Sequence, residues 1–241
     1  MKTLLAVVAL AAAVLLIKPN KIKDEVVQIP ISDAPAIIIA EKLIATQEVK
    51  KLTLKKDRVI TLRSQVDAIS AQSVIRGIRD LQNSSEPIYL LLDSPGGSVI
   101  DGAQILSTME ASKAPIYTIC LKMCASMAFV IHQYGTKRMA VNRSILMAHP
   151  ASGGVNPGQI PNLVSLLKTM TNYIDKMDAH IAKRAGLDIT VFHNMIAHEL
   201  WLDAEDATRL KFNDELVYIM NDIDSSVIVP TTDERVRNIR R

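Results

Sequence analysis

Tyr89-Leu90-Leu91-Leu92-Asp93-Ser94-Pro95-Gly96-Gly97-Ser98 is the stretch on which the fold turns: an apolar run that ends abruptly in a Pro-Gly-Gly turn. Downstream of it, residues 102–111 carry a helical pattern and residues 116–120 form a second buried run. A short polar turn then leads into Cys124-Ala125-Ser126-Met127-Ala128. A third run, residues 144–148, ends on His149-Pro150. Short apolar runs alternating with helical segments predict an α/β domain built on a largely parallel sheet. In such sheets reactive groups collect at strand ends, where turns hold side chains and free backbone N–H groups. Here those ends carry a Gly-Gly turn, a serine and a histidine, the raw material of acyl transfer.

A serine hydroxyl is a poor nucleophile until a base takes its proton. Ser126 follows a buried run, and residues 127–133 read as helix, so free N–H groups and a favourable dipole lie beside it. The N–H of Met127 is one natural oxyanion donor. The Gly96-Gly97 turn supplies the second, assigned to Gly97, because glycine lets the backbone approach a substrate closely. His149 sits near Ser126 if the strands that end on them are neighbours. It would then be the general base, and afterwards the acid that protonates the leaving amine. Taken singly, a serine in a turn is usually a cap and a histidine at a strand end is usually structural; order and company make this pair informative. His132, His180, His193 and His198 fall in helical segments and read as surface or packing residues. His198-Glu199 lacks the second histidine of a zinc-peptidase motif.

Ser94-Pro95-Gly96-Gly97-Ser98, Thr118-Ile119-Cys120, Ala125-Ser126-Met127 and Met147-Ala148-His149-Pro150 together resemble the proteolytic subunits of the Clp protease family. The likeness runs from about residue 57 to about residue 217. It implies a crotonase-like α/β fold of repeated β-β-α units with a projecting handle helix. It also implies a serine endopeptidase with Ser126 as nucleophile and His149 as base, assembled as a homo-oligomeric ring that can stack into a double ring. Polypeptide substrates and an unfoldase ATPase partner come with that resemblance, and the chain has no Walker A sequence of its own. The family places an aspartate shortly before a Phe-Leu/Met-Ser-Ala segment. Trp201-Leu202-Asp203-Ala204 is the matching segment here, which puts Glu199 in that place and leaves Asp203, or no acid, as the alternatives. Ala128-Phe129 stands where the family prefers Gly-Ala, and His149-Pro150-Ala151-Ser152 where it tends to have His-Gln-Pro; both bear on the shape of the substrate pocket.

The remainder of the chain frames this centre. Its 241 residues, 49% of them apolar, suit one globular domain of ordinary size with extensions. A net charge of +3, 4% aromatics and no basic stripe argue against nucleic-acid binding. Cys120 and Cys124 read as buried free thiols, no cluster completes a zinc site, and neither metal nor cofactor is expected. Residues 4–17 are an unbroken apolar run, shorter than the roughly 20 residues of a comfortable membrane span. With no small-x-small cleavage site after it, the leading reading of residues 1–23 is a short membrane anchor, then a cleaved signal. The expected location is therefore membrane-associated through that segment, on an undecided side because lysines flank both ends, and otherwise cytoplasmic. Residues 24–56 are expected to be a linker or adaptor, 57–220 the catalytic domain, and 221–241 a charged tail. Within the domain, residues 58–62 and 215–220 read as strands, and 66–81, 159–185 and 205–210 as helices. The long helix carries an apolar stripe that favours an oligomer.

Three other readings compete. A membrane peptidase close to signal-peptide peptidase would use a serine–lysine pair, with Lys122 or Lys168 as base. A crotonase-like acyl-CoA enzyme would use the two N–H donors without Ser126. An inactive ring subunit would only scaffold active ones.

Overall fold

A computed structural model of the chain describes residues 48–152 and 160–220, with side chains left out at 160–163 and 166. The chain opens on an edge strand β1 (Val49–Leu52), a 3-10 turn at Lys56–Arg58, and β2 (Val59–Leu62). Helix α1 (Ala68–Leu81), β3 (Ile88–Ser94), α2 (Val99–Ala111) and β4 (Ile116–Ala125) follow. Then come α3 (Met127–Gln133), β5 (Lys137–Val141), β6 (Ile145–Ala148) and the long helix α4 (Ile160–Ala185). Helix α5 (Ile189–Ile196), β7 (Leu200–Asp203), α6 (Ala204–Arg209) and β8 (Glu215–Ile219) complete it. The sheet runs β1-β8-β5-β4-β3-β2, and β6 joins β4 off this path. All these pairings are parallel; only β7 runs antiparallel, on β6. This is the α/β architecture on a largely parallel sheet that the apolar pattern predicts, and the sheet is curled.

Local chemistry sets the boundaries. Asp67 caps α1 by accepting from the N–H groups of Ile69 and Ser70, and Ser70 Oγ accepts from the Asp67 N–H in return. Ser98 caps α2 through the Asp101 N–H, so the turn that stops β3 also starts the next helix. β3 is buried along most of its length, as a central parallel strand covered on both faces must be. Helix α1 lies on the sheet face that carries Ile60; a Cβ added to Gly77 would come 3.0 Å from the Ile60 side chain. The opposite face gathers Val59, Leu91, Ile119, Met139 and Val217, with Tyr89 and Tyr117 meeting edge to face at 5.9 Å.

Two sequence expectations change. Residues 121–123 are not a turn: β4 continues unbroken to Ala125. Leu121 and Met123 are half-buried on either side of exposed Lys122, whose ammonium lies 3.6 Å from Asp93. Midway, β4 leaves β5 after Cys120 and takes up β6 from Met123, while its register with β3 shifts between Leu92 and Ser94. A polar residue on an irregular strand reads as a turn when only the local pattern is visible. Secondly, Val49–Leu52, placed in the linker by sequence, is paired with β8 and tied to it by Lys50 and Glu215, 2.6 Å apart. Two adjacent lysines between its apolar ends hid the strand. The anchor or signal of residues 1–23, the linker up to residue 47, the loop at 153–159 and the tail at 221–241 lie outside the described residues. Among the described residues no helix is long and apolar enough to cross a membrane.

A buried polar network ties α3, β5 and the approach to β8 together. The Arg138 guanidinium donates to Asp214 at 2.5 Å and to Gln133 Oε1 at 2.9 Å, and Gln133 Nε2 donates to the Phe212 carbonyl at 3.0 Å. Arg184, from α4, donates to the Gln133 carbonyl at 3.0 Å. His132 Nε2 donates to Asn213 Oδ1 at 2.6 Å, leaving the buried Nδ1 without a partner. Burial pushes the His132 pKa down from 6.5 to about 4, against the Asn213 hydrogen bond that would raise it. Below pH 6.5 the unfolded chain takes up a proton that the folded chain refuses. Stability is therefore expected to fall by about 3 kcal/mol as pH drops through that window. Urea unfolding at successive pH values would measure the slope, and His132→Gln should flatten it.

Candidate active site

β4 ends and α3 begins at Ser126, whose backbone takes φ 55° and ψ −123°. An L-residue held there costs roughly 1–3 kcal/mol, and such outliers persist only where the surroundings over-determine them. Two backbone hydrogen bonds do so: the Ser126 N–H donates to the Met147 carbonyl at 2.9 Å, and the Ser126 carbonyl accepts from the Val130 N–H at 3.1 Å. The first extends the β4–β6 ladder, in which Ala125 faces Met147. The chain leaving β6 thus passes directly beside Ser126. His149 Nε2 lies 2.8 Å from Ser126 Oγ. For the hydroxyl to donate across that contact, the imidazole proton must sit on Nδ1.

The turn after β3 closes the other side. Ser94 Oγ, fully buried, accepts from the Gly96 N–H at 3.2 Å. The Gly96 carbonyl accepts from the Val66 N–H, and the Ser98 N–H donates to the Val66 carbonyl, each at 2.8 Å. Gly96 and Gly97 both take positive φ, 91° and 147°. A Cβ on Gly96 would fall 2.5 Å from the Ala125 carbonyl oxygen, 2.7 Å from Ser126 Cβ and 2.8 Å from the Met127 nitrogen. The glycine turn and the serine turn therefore touch backbone to backbone. Among the described residues, neither the Gly97 nor the Met127 N–H has a hydrogen-bond acceptor.

Gly97, Ser126, Met127 and His149 all line one cleft of about 300 Å³. Its other walls are mainly apolar: Met147, Phe129 from α3, Ile174, Met177 and Ile181 from α4, and Phe192 from α5. Phe129, where the resemblance prefers a small residue, is buried against Phe212 with ring centroids 5.5 Å apart. One carboxylate, Asp178, stands among these walls, its Oδ2 3.1 Å from His193 Nε2. Asp178 is not among the acids expected from sequence, where His193 reads as a packing or surface residue. The signal was available: Asp178 falls on the stripe of Ile174, Met177 and Ile181 at helical spacing, where an acid is out of place.

The acids named from sequence make other hydrogen bonds. Glu199 closes the end of α5 with φ 62°, and its Oε2 accepts from the Trp201 indole N–H at 3.0 Å. Asp203 caps α6, accepting from the Asp206 N–H at 2.8 Å. None of the described carboxylates is hydrogen-bonded to His149. Lys122 and Lys168 do not line the cleft either, so the serine–lysine reading finds no base beside Ser126. Cys120 and Cys124 are free and buried, and no described cluster of His, Cys, Asp and Glu could hold a metal ion.

Because an added methyl at Gly96 has nowhere to go, Gly96→Ala is expected to displace the Ser126–Met127 backbone. Turnover at the cleft should drop by about a hundredfold, the usual consequence of an ångström-scale misplacement. A steady-state assay alongside circular dichroism would separate this from unfolding.

The family model described as Clp protease matches residues 44–219. The ATP-dependent Clp protease proteolytic subunits of Streptococcus pyogenes serotype M5 (strain Manfredo) and serotype M1 are each 33% identical over 169 residues, 68% of this chain and 86% of theirs. The match spans the α/β domain and both turns that meet at the cleft: this chain belongs to the Clp protease family.

Proposed function

We propose that the chain is a serine endopeptidase of the Clp type that cleaves peptide bonds through an acyl-enzyme on Ser126. The single observation that carries this reading is the 2.8 Å contact between His149 Nε2 and Ser126 Oγ, held at a strained strand–helix junction. In the first half-reaction Ser126 Oγ attacks the scissile carbonyl while His149 takes its proton. The N–H groups of Gly97 and Met127 receive the negative charge on the carbonyl oxygen. Collapse breaks the C–N bond, and His149 returns the proton to the leaving amine. Water, deprotonated by the same imidazole, then hydrolyses the ester and restores Ser126.

Ser126 and His149 act in this reading as a dyad, since Glu199 accepts from the Trp201 indole N–H and makes no hydrogen bond to His149 among the described residues. Ser126→Ala and His149→Ala are each expected to reduce peptide hydrolysis by at least about 10⁴-fold without disturbing assembly. Labelling by a fluorophosphonate, read by intact mass, should require both residues. Near-normal turnover in Ser126→Ala would remove the nucleophile assignment and favour acyl-CoA chemistry. For Glu199→Gln the rate should fall by less than about tenfold; a loss as large as that of His149→Ala would make Glu199 the third member of the triad.

Oligomeric assembly and ATPase partners go with the Clp family in general, and the curated relatives are named ATP-dependent. A ring of copies of this chain fits Val164, Leu167 and Tyr173 on α4, which are exposed among the described residues and would gain cover from a neighbouring copy.

A further inference from the structure

The walls of the cleft beside Ser126 would suit any apolar side chain, apart from one group. Asp178 lies on the α4 face that lines the cleft, between Ile174 and Met177 on one side and Ile181 on the other. Its side chain is 16% exposed, whereas that of its partner His193 is 45% exposed. Only Oδ2 is engaged; among the described residues Oδ1 has no hydrogen-bond partner. Burial raises the Asp178 pKa and the neighbouring His193 lowers it, so the carboxylate is poorly compensated where it stands. A half-exposed imidazole is a weak counterpart for an acid set in an apolar wall. A ligand bringing a cation on an apolar stem would satisfy both features of the wall at once: methylenes against Met177 and the isoleucines, ammonium or guanidinium on Oδ1.

We infer that Asp178 is a specificity-determining residue of this cleft, and that it admits lysine or arginine as the residue contributing the scissile carbonyl. The inference rests on the peptidase reading above and adds a substrate class to it. Apolar residues of similar length bind the same walls but leave the carboxylate as it is, so the cleft accepts both kinds and Asp178 sets their ratio. His193 competes with the incoming cation for the carboxylate.

The test is a pair of fluorogenic peptides that differ only at the acyl-side residue, lysine in one and norleucine in the other. Norleucine keeps the stem and removes the ammonium. The readout is the ratio of kcat/KM for the two. In Asp178→Asn the lysine-to-norleucine ratio should fall by about tenfold to a hundredfold, the size of a charge-assisted contact withdrawn from a sheltered site. In His193→Ala, which frees the carboxylate, the ratio should rise. An acid that served only to tie α4 to α5 would change stability and leave the ratio alone. Cleavage of both peptides with ratios unmoved in the two variants overturns the inference and leaves the peptidase reading standing. Failure of the wild-type protein to cleave either peptide, or to take the fluorophosphonate at Ser126, overturns both.

Discussion

One backbone hydrogen bond, from the Ser126 N–H to the Met147 carbonyl, holds the site in its present form. It is the last rung between β4 and β6, and it fixes three things together. It pins the strained residue at the head of α3, sets the register that brings the chain after β6 past the serine, and ties the end of β4 to the end of β6. The rung exists only because β4 changes neighbours partway along, from β5 to β6. A regular strand would have kept β5 alongside and left no place for His149. The irregularity of β4 at residues 121–123, and the register shift opposite Leu92 and Ser94, are thus the structural origin of the site.

Strain of this kind needs a rigid frame. The frame behind Ser126 is polar as well as apolar: α3 is anchored from below by His132 on Asn213 and by Gln133 between Arg138 and Phe212. Each of these groups is buried and partnered, apart from His132 Nδ1. A satisfied buried network tolerates little displacement, because each hydrogen bond lost leaves a desolvated group behind. The same network that fixes α3 holds His132 where burial disfavours its charged form, the basis of the acid dependence expected above.

Two carboxylates frame the catalytic reading, and they stand in different surroundings. Glu199 is exposed, stands at a left-handed helix end, and gives its carboxylate to the Trp201 indole. Asp178 presents the converse case: a carboxylate in an apolar cleft wall with a half-exposed histidine as its partner. One acid is withdrawn from the cleft and another is left inside it.

The amino-acid sequence by itself determined the α/β class, the parallel arrangement and the elements around Ser126, because apolar runs and helical stripes are local and periodic. It also marked Gly96 and Gly97, since a Pro-Gly-Gly turn between an apolar run and a helix has few other uses. The proximity of Ser126 and His149 was legible only as a condition, that their strands be neighbours. That condition is met through an irregularity in β4, which read as a turn. The edge strand Val49–Leu52 escaped notice because its two lysines face solvent and an edge needs no apolar run. The hydrogen-bond partners of Glu199 and Asp178 belong to the tertiary structure alone. Spacing within a segment is set by backbone geometry, but which carboxylate meets which imidazole depends on how separate segments pack, and no local pattern records that.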